Sequence, residues 1–179
     1  MISKLQETTD AAALVDLVNS AYRGDSSKAG WTTEAEFLDG IRLTLKDAGA
    51  MLQDSTKKVL VLEEKGALLA CVCLENRGAY AYLGMLTVSP ELQGKGIGKD
   101  ILRECETWIQ KHWHSTVWIE MSVLSQRKEL IAFYVRQGYQ LTEERKPFPG
   151  YQEPQRYGIP KRPDLEFAVL KKKLSVHAR

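Results

Sequence analysis

The sequence lacks the features that would direct it to a membrane, a secretory route or a nucleic acid. Its longest unbroken apolar run, Ala67 to Leu74, falls far short of the roughly 20 residues a spanning helix needs. Lys4, Glu7, Asp10 and Asp16 interrupt the first twenty residues, where a signal peptide would need an apolar segment, so a cytoplasmic address and no membrane partner are expected. Charge of one sign is also missing. Lys and Arg total 25 against 23 Asp and Glu, and a net charge of +2 is too small to suggest a nucleic-acid surface. The expected partner is therefore a small molecule. Repeats and low-complexity tracts are absent, and 179 residues, at roughly 150 per domain, predict a single domain spanning 1–179.

Cysteine is scarce and odd in number. Cys71, Cys73 and Cys105 leave one thiol over in any disulfide scheme, and a chain of this size does not need staples. Cys71 and Cys73 with His112 and His114 would supply four zinc-type ligands. The two cysteines, however, alternate with Val72 in an apolar strand-like run, where free Cys behaves as a small buried hydrophobe, so no metal is expected.

Five of the six prolines fall between Pro147 and Pro163, a stretch that excludes a regular helix or a central strand and reads as one long loop. The elements before it follow from periodicity. Leu14, Val18, Ala21 and Tyr22 recur at helical spacing after Asp10. Thr33 with Glu36 has the pattern of a capping box ahead of Phe37, Leu38, Ile41 and Leu45, which predicts a second opening helix. Three strand-like runs between Lys57 and Val88 are split by Lys65-Gly66 and Asn76-Arg77-Gly78, an antiparallel meander. Ile101, Leu102, Cys105, Trp108 and Ile109 form the stripe of a helix packed on a sheet. A strand over 116–123, a short helix ended by Gly138, and strands over 139–145 and 165–170 complete the order ααβββαβαββ.

The segment from Leu86 to Gly98 passes from a strand through a tight turn into a helix. Glycines at 94, 96 and 98 allow backbone N–H groups to face one concavity, and the helix that follows adds its positive end, an arrangement suited to phosphate. A Walker loop would end in Gly-Lys-Ser/Thr, whereas Gly98-Lys99 is followed by Asp100. A G-x-G-x-x-G loop fails at Lys99.

The run Gln93-Gly-Lys-Gly96-Ile-Gly98 resembles the Q/R-x-x-G-x-G/A acetyl-CoA loop of the GNAT N-acetyltransferases, and Ala132 to Tyr139 is similar to that superfamily's second motif, which carries a tyrosine facing the coenzyme thiol. The resemblance implies the GNAT fold, an α/β domain with a mixed, mostly antiparallel central sheet flanked by helices on both faces. It also implies acetyl-CoA as acyl donor and a primary amine of a small molecule as acceptor. Protein acetylation and non-catalytic acetyl-CoA binding remain the alternatives, and a homodimer is among the assemblies to expect. Gly30 to Gly40 and Tyr157 to Phe167 also look similar to a bacterial subfamily without an assigned substrate.

Carried over by position, the resemblance implies that the Leu86, Thr87 and Val88 backbones bond the pantetheine arm. Gln93, Gly94, Lys95, Gly96, Gly98 and Lys99 would surround the pyrophosphate, and Tyr134 would protonate the departing thiolate. Arg127 stands where the family commonly has Asn, and Tyr82 stands where the histone-modifying branch has its catalytic Glu. Glu120, on the polar face of the strand over 116–123, is then the candidate base acting through water, with a salt-bridged glutamate as the other reading. On the acceptor side, acidic residues would attract the ammonium: Asp25, Glu34, Glu36 and Asp39 are candidates, and Trp31, Tyr82, Phe148, Tyr151 and Tyr157 could wall the site.

Overall fold

The computed structural model describes residues 5–175. A seven-stranded sheet runs in the order β1 (Gln6–Glu7), β3 (Lys57–Glu64), β4 (Ala67–Asn76), β5 (Tyr80–Val88), β6 (Trp118–Leu124), β9 (Glu166–Lys173), β7 (Gln140–Pro147). Every neighbouring pair is antiparallel except β5 and β6. Helices α1 (Ala11–Tyr22) and α3 (Leu45–Gln53) pack on one face of β3 to β5 through Leu14, Val18, Ala21, Ala48, Val59, Val61 and Cys71. On the other face α4 (Ile97–His112) and α5 (Lys128–Arg136) bury Ile101, Leu102, Cys105, Ile109, Leu130 and Ile131 against Leu60, Val72, Leu74 and Leu83. The period-2 alternation of β3 and β4 thus feeds two cores, each closed by a helix stripe of period 3.6. Among the described residues, no helix is long and apolar enough to cross a membrane.

The meander, the α4 stripe and the helix stopped at Gly138 (φ +92) fall where periodicity predicts. The second opening helix does not. Residues 34–37 form a turn, and the short α2 (Gly24–Ser27) precedes it. The Thr33 hydroxyl accepts from the Ala35 N–H at 3.1 Å and bonds Ser27 at 2.5 Å instead of capping a helix. The helix starts at Leu45, where Thr44 accepts from the Asp47 N–H at 3.0 Å. Two Thr-x-x-acid patterns lie eleven residues apart, and burial of Leu38 beside Phe148 and Leu165 selects the second. The proline-rich stretch is likewise not wholly irregular. It contains α6 (Pro154–Tyr157) and β8 (Ile159–Pro160), and β8 pairs with β2 (Leu38–Asp39) as a two-residue ribbon.

Two irregularities in β5 open the sheet. Its parallel pairing with β6 ends at Tyr82–Glu120, so Leu83 to Val88 have no strand on that side. Opposite Val72, β5 has both Met85 and Leu86, a bulge with Met85 at φ +53. The bulge changes the parity of the strand. Leu83 and, beyond the bulge, Leu86 and Val88 face the α4 core, whereas Met85 faces α1.

Candidate active site

Two cavities lie in the opening between β5 and β6. The first, about 370 Å³, is lined by Gly94, Gly96, Gly98, Lys99, Trp31, Phe133 and Arg136, and the second, about 520 Å³, by Glu34, Arg42, Tyr82, Gly84, Ser122 and Tyr157. Tyr22, Leu86, Arg127, Leu130 and Tyr134 line both, so the cavities meet at these five side chains.

The glycine-rich end of the first cavity is built from backbone. Gly94 (φ +79) and Gly96 (φ +83) adopt left-handed conformations that strain any other residue, and space is open where their side chains would be. Gly96 caps the sixteen-residue α4, so the unpaired N–H groups of its first turn join the concavity. Lys99 and Arg136 add positive charge to the wall, whereas Lys95 is exposed and lies outside it.

Gln93 lines this concavity, but its side-chain amide is engaged by its neighbours. Its Oε1 accepts from the Trp31 and Thr32 N–H groups at 2.8 and 3.2 Å, and its Nε2 donates to the Thr32 hydroxyl and the Val88 carbonyl at 2.8 and 3.0 Å. It therefore ties the segment 30–32 to the end of β5. A side chain at Gly30 would collide with the Gln93 amide. Trp31, expected to wall the acceptor, instead lines the glycine-loop cavity with its ring 5.7 Å from that of Phe133. Thr87 is buried facing away, its hydroxyl donating to the Met85 carbonyl at 2.9 Å.

The second cavity is built from side chains. Glu34 is buried between Arg23 and Arg127, at 3.2 and 3.1 Å. Arg23 also donates to the Ile41 and Tyr157 carbonyls, and Arg127 to that of Thr32. Glu34 is thus doubly neutralised, which corrects its expected role of attracting an ammonium. The presence of Arg127 at the family's Asn position has a structural reason, because Arg127 immediately precedes α5 and anchors the Thr32–Glu34 segment across the site. Tyr82 and Tyr157 do line this cavity, and Arg77 stacks on Tyr82 at 4.5 Å.

Glu120 lines neither cavity. Its buried carboxylate is held by Lys146 at 3.3 Å and Lys171 at 3.5 Å, the salt-bridged alternative, and those two lysines leave it no free path to an amine. Of the other acidic candidates, Asp25 pairs with Lys28 in solvent and Asp39 with Lys161. Phe148 also borders the second cavity, while Tyr151 lies outside, its hydroxyl bonded to the Arg162 carbonyl. The three thiols are buried. Burial pushes Cys71 up to about 12 and Cys73 up to about 11.

Tyr134 sits on α5 at the junction, 5% exposed, and its hydroxyl has no hydrogen-bond partner among the described residues. Burial raises its pKa well above that of an ordinary phenol, which keeps the proton on the oxygen. Tyr22, which by its spacing reads only as part of the α1 stripe, donates its hydroxyl to the Leu86 carbonyl at 2.7 Å. Nothing in the sequence distinguishes it from a core residue.

Residues 55–141 match the family model described as an acetyltransferase (GNAT) domain. No curated protein matches the sequence. Among solved structures, the fold is similar to the ribosomal-protein-S18-alanine N-acetyltransferase of Escherichia coli (TM-score 0.68, 15% identity, covering 99% of this chain and 96% of that one). It is also similar to a ribosomal-protein-alanine N-acetyltransferase of Brucella melitensis (0.68, 18%, 96% and 100%). A third likeness is to yncA of Salmonella typhimurium, a putative acetyltransferase with its cofactor acetyl-CoA (0.67, 17%, 98% and 96%). A glycine cradle at a helix start, a strand edge left open beside it and a buried tyrosine where two cavities meet accompany the family match, and residues 55–141 form a GNAT acetyltransferase domain.

Proposed function

We propose that this chain transfers the acetyl group of acetyl-CoA to a primary amine of a small molecule, by direct attack in a ternary complex, with 1–179 acting as one catalytic unit in the cytoplasm. The observation that carries this reading is the meeting of a phosphate-type cavity and a side-chain-walled cavity at Tyr134. The pyrophosphate is received by the N–H groups around Gly94, Gly96 and Gly98, assisted by Lys99 and Arg136. The pantetheine arm lies along the open edge of Leu83 to Val88 as an added strand.

The amine enters from the second cavity and attacks the thioester carbonyl. A C–N bond forms as the carbonyl electron pair moves to oxygen. Collapse of the intermediate breaks the C–S bond, and the departing thiolate takes the Tyr134 proton, which solvent later restores. The amine must arrive as the free base. Arg23 and Arg127 share one carboxylate, and Arg42 adds a further cation, so the wall disfavours an ammonium and lowers the amine's pKa. No protein carboxylate is needed, and water accepts the proton in place of Glu120.

Initial rates of thiol release over an amine panel test the reading. Tyr134→Phe should lower kcat by about 10² to 10⁴ while acetyl-CoA affinity stays within about threefold; a kcat within about threefold of the parent removes the general acid. A second reading, N-acetylation of a protein or peptide, is favoured by the names of the Escherichia coli and Brucella melitensis relatives. The β2–β8 ribbon, anchored through Arg23 to Tyr157, closes the wall and favours a small acceptor. Labelled acetyl recovered in protein rather than in the small-molecule fraction would select the second reading.

A further inference from the structure

The acceptor cavity carries an electrostatic imbalance that acetyl transfer itself does not require. Each of the four carboxylates on its wall is already engaged: Glu34 by Arg23 and Arg127, Asp47 by Arg156 at 3.6 Å, Asp54 by Lys57 at 3.4 Å and Glu75 by Arg77 at 3.0 Å. The cations facing the same space are matched in this way with one exception. Arg42 has no carboxylate or carbonyl partner for its side chain among the described residues, although the side chain is half-buried.

Arg42 is nonetheless held in place. Its backbone N–H donates to Asn19 Oδ1 at 2.7 Å, and its guanidinium carbon lies 5.7 Å from the centroid of the Tyr22 ring. That same ring carries the hydroxyl bonded to the Leu86 carbonyl, at the strand edge proposed to hold the pantetheine arm. A guanidinium packed on the Tyr22 ring, short of acceptors and lining the same cavity as Tyr134, is complementary to a planar anion that can accept two parallel N–H bonds. Arg23 and Arg127, with one carboxylate between them, leave the inner wall net positive and add to the attraction.

We propose that Arg42 is an anion subsite that binds the carboxylate of the acceptor, so that the substrate class is an amino carboxylate, amine and carboxylate in one molecule, rather than a simple amine. The inference rests on the transferase reading and deepens it. It also explains how an acceptor can be drawn into a cation-rich cavity: the carboxylate supplies the attraction, and the same positive charge then favours the uncharged amine.

The probes are norleucine and 6-aminohexanoate, each against its carboxamide, with pentylamine as the amine lacking either group. Thiol release measures turnover, and calorimetry with coenzyme A present measures binding. The better of the two carboxylates should exceed its amide and pentylamine by about tenfold or more in kcat/KM, mainly through KM. Arg42→Gln should bring that ratio to within about twofold of unity, and Arg42→Lys should restore part of it, with far-UV circular dichroism checking the fold. Equal rates on carboxylate and amide in the parent overturn the subsite and leave the transferase reading standing, as does a preference that persists in Arg42→Gln. If no amine is turned over, the transferase reading fails. Binding of 6-aminohexanoate then decides the subsite alone: binding that Arg42→Gln removes supports it, and equal or absent binding overturns it.

Discussion

The two cavities that share Tyr134 are made of different material. The glycine-loop cavity takes much of its wall from one contiguous stretch, Leu86 to Lys99, and its phosphate-type chemistry is that of N–H groups and a helix end. The acceptor cavity is formed by side chains from widely separated parts of the chain, and its chemistry depends on which charges find partners. Glu34 and Arg127 are 93 positions apart, and Arg23 reaches the carbonyl of a residue 134 positions away. A site made of backbone needs only a few glycines at fixed spacing, whereas a site made of paired side chains has no local signature. The first can be retained while the second is rebuilt.

If that contrast holds, damage to each side should have its own signature. The largest effect is expected from Gly96→Asp, which forces a side chain into a left-handed conformation and puts negative charge at the helix start. Acetyl-CoA binding measured by calorimetry should weaken by about 100-fold or more with the circular dichroism spectrum intact. Unchanged affinity would break the comparison on the coenzyme side. Next is Glu34→Ala, which leaves Arg23 and Arg127 buried without their carboxylate. Chemical denaturation should show a stability loss of about 3 kcal/mol, because an uncompensated buried charge costs far more than an exposed pair contributes. A loss of only a few tenths would mean that the triad is solvated and the acceptor wall soft.

The smallest effect within the ordinary working range is on pH. Cys71, Cys73, Tyr22 and Tyr134 all have pKa values raised by burial, so their neutral forms favour the folded state. That contribution is fully present below the ordinary thiol value near 9 and is lost as pH rises toward 11 to 12, since the unfolded chain releases those protons first. The melting temperature should therefore be flat up to about pH 8 and decline above 9.

The same contrast explains what could be read from the sequence. The meander, the α4 stripe, the Gly94–Gly98 turn and the position of Tyr134 rest on contiguous patterns, and each lies where the pattern places it. The start of α3 was obscured because Thr33-x-x-Glu36 and Thr44-x-x-Asp47 satisfy the same local rule, and only the packing of Leu38 separates them. Gln93 matches a loop motif, yet its partners at Trp31 and Thr32 are about sixty residues earlier, so its role as a tie could not be seen locally. Glu120 lies on the polar side of an alternating strand, as expected, but its lysine partners come from β7 and β9, and they occupy the carboxylate. The change of parity at Met85 has no sequence mark at all.

The early end of the β5–β6 pairing has a mechanical consequence. Three residue pairs, Tyr80–Trp118, Ala81–Ile119 and Tyr82–Glu120, and the Ala79 carbonyl that accepts from the Val117 and Trp118 N–H groups join the four strands β1, β3, β4 and β5 to the three strands β6, β9 and β7. Beyond Tyr82–Glu120 no strand pairing holds these two halves of the sheet together. A ligand lying along Leu83 to Val88 would act as a splint across the wedge, and its concentration would enter the stability of the whole sheet by mass action, about 2.7 kcal/mol at a hundredfold excess over its dissociation constant. The acyl donor would in that case be a structural member of the enzyme as well as its substrate, and amide exchange at Ala81 and Ile119 would follow the cell's supply of it.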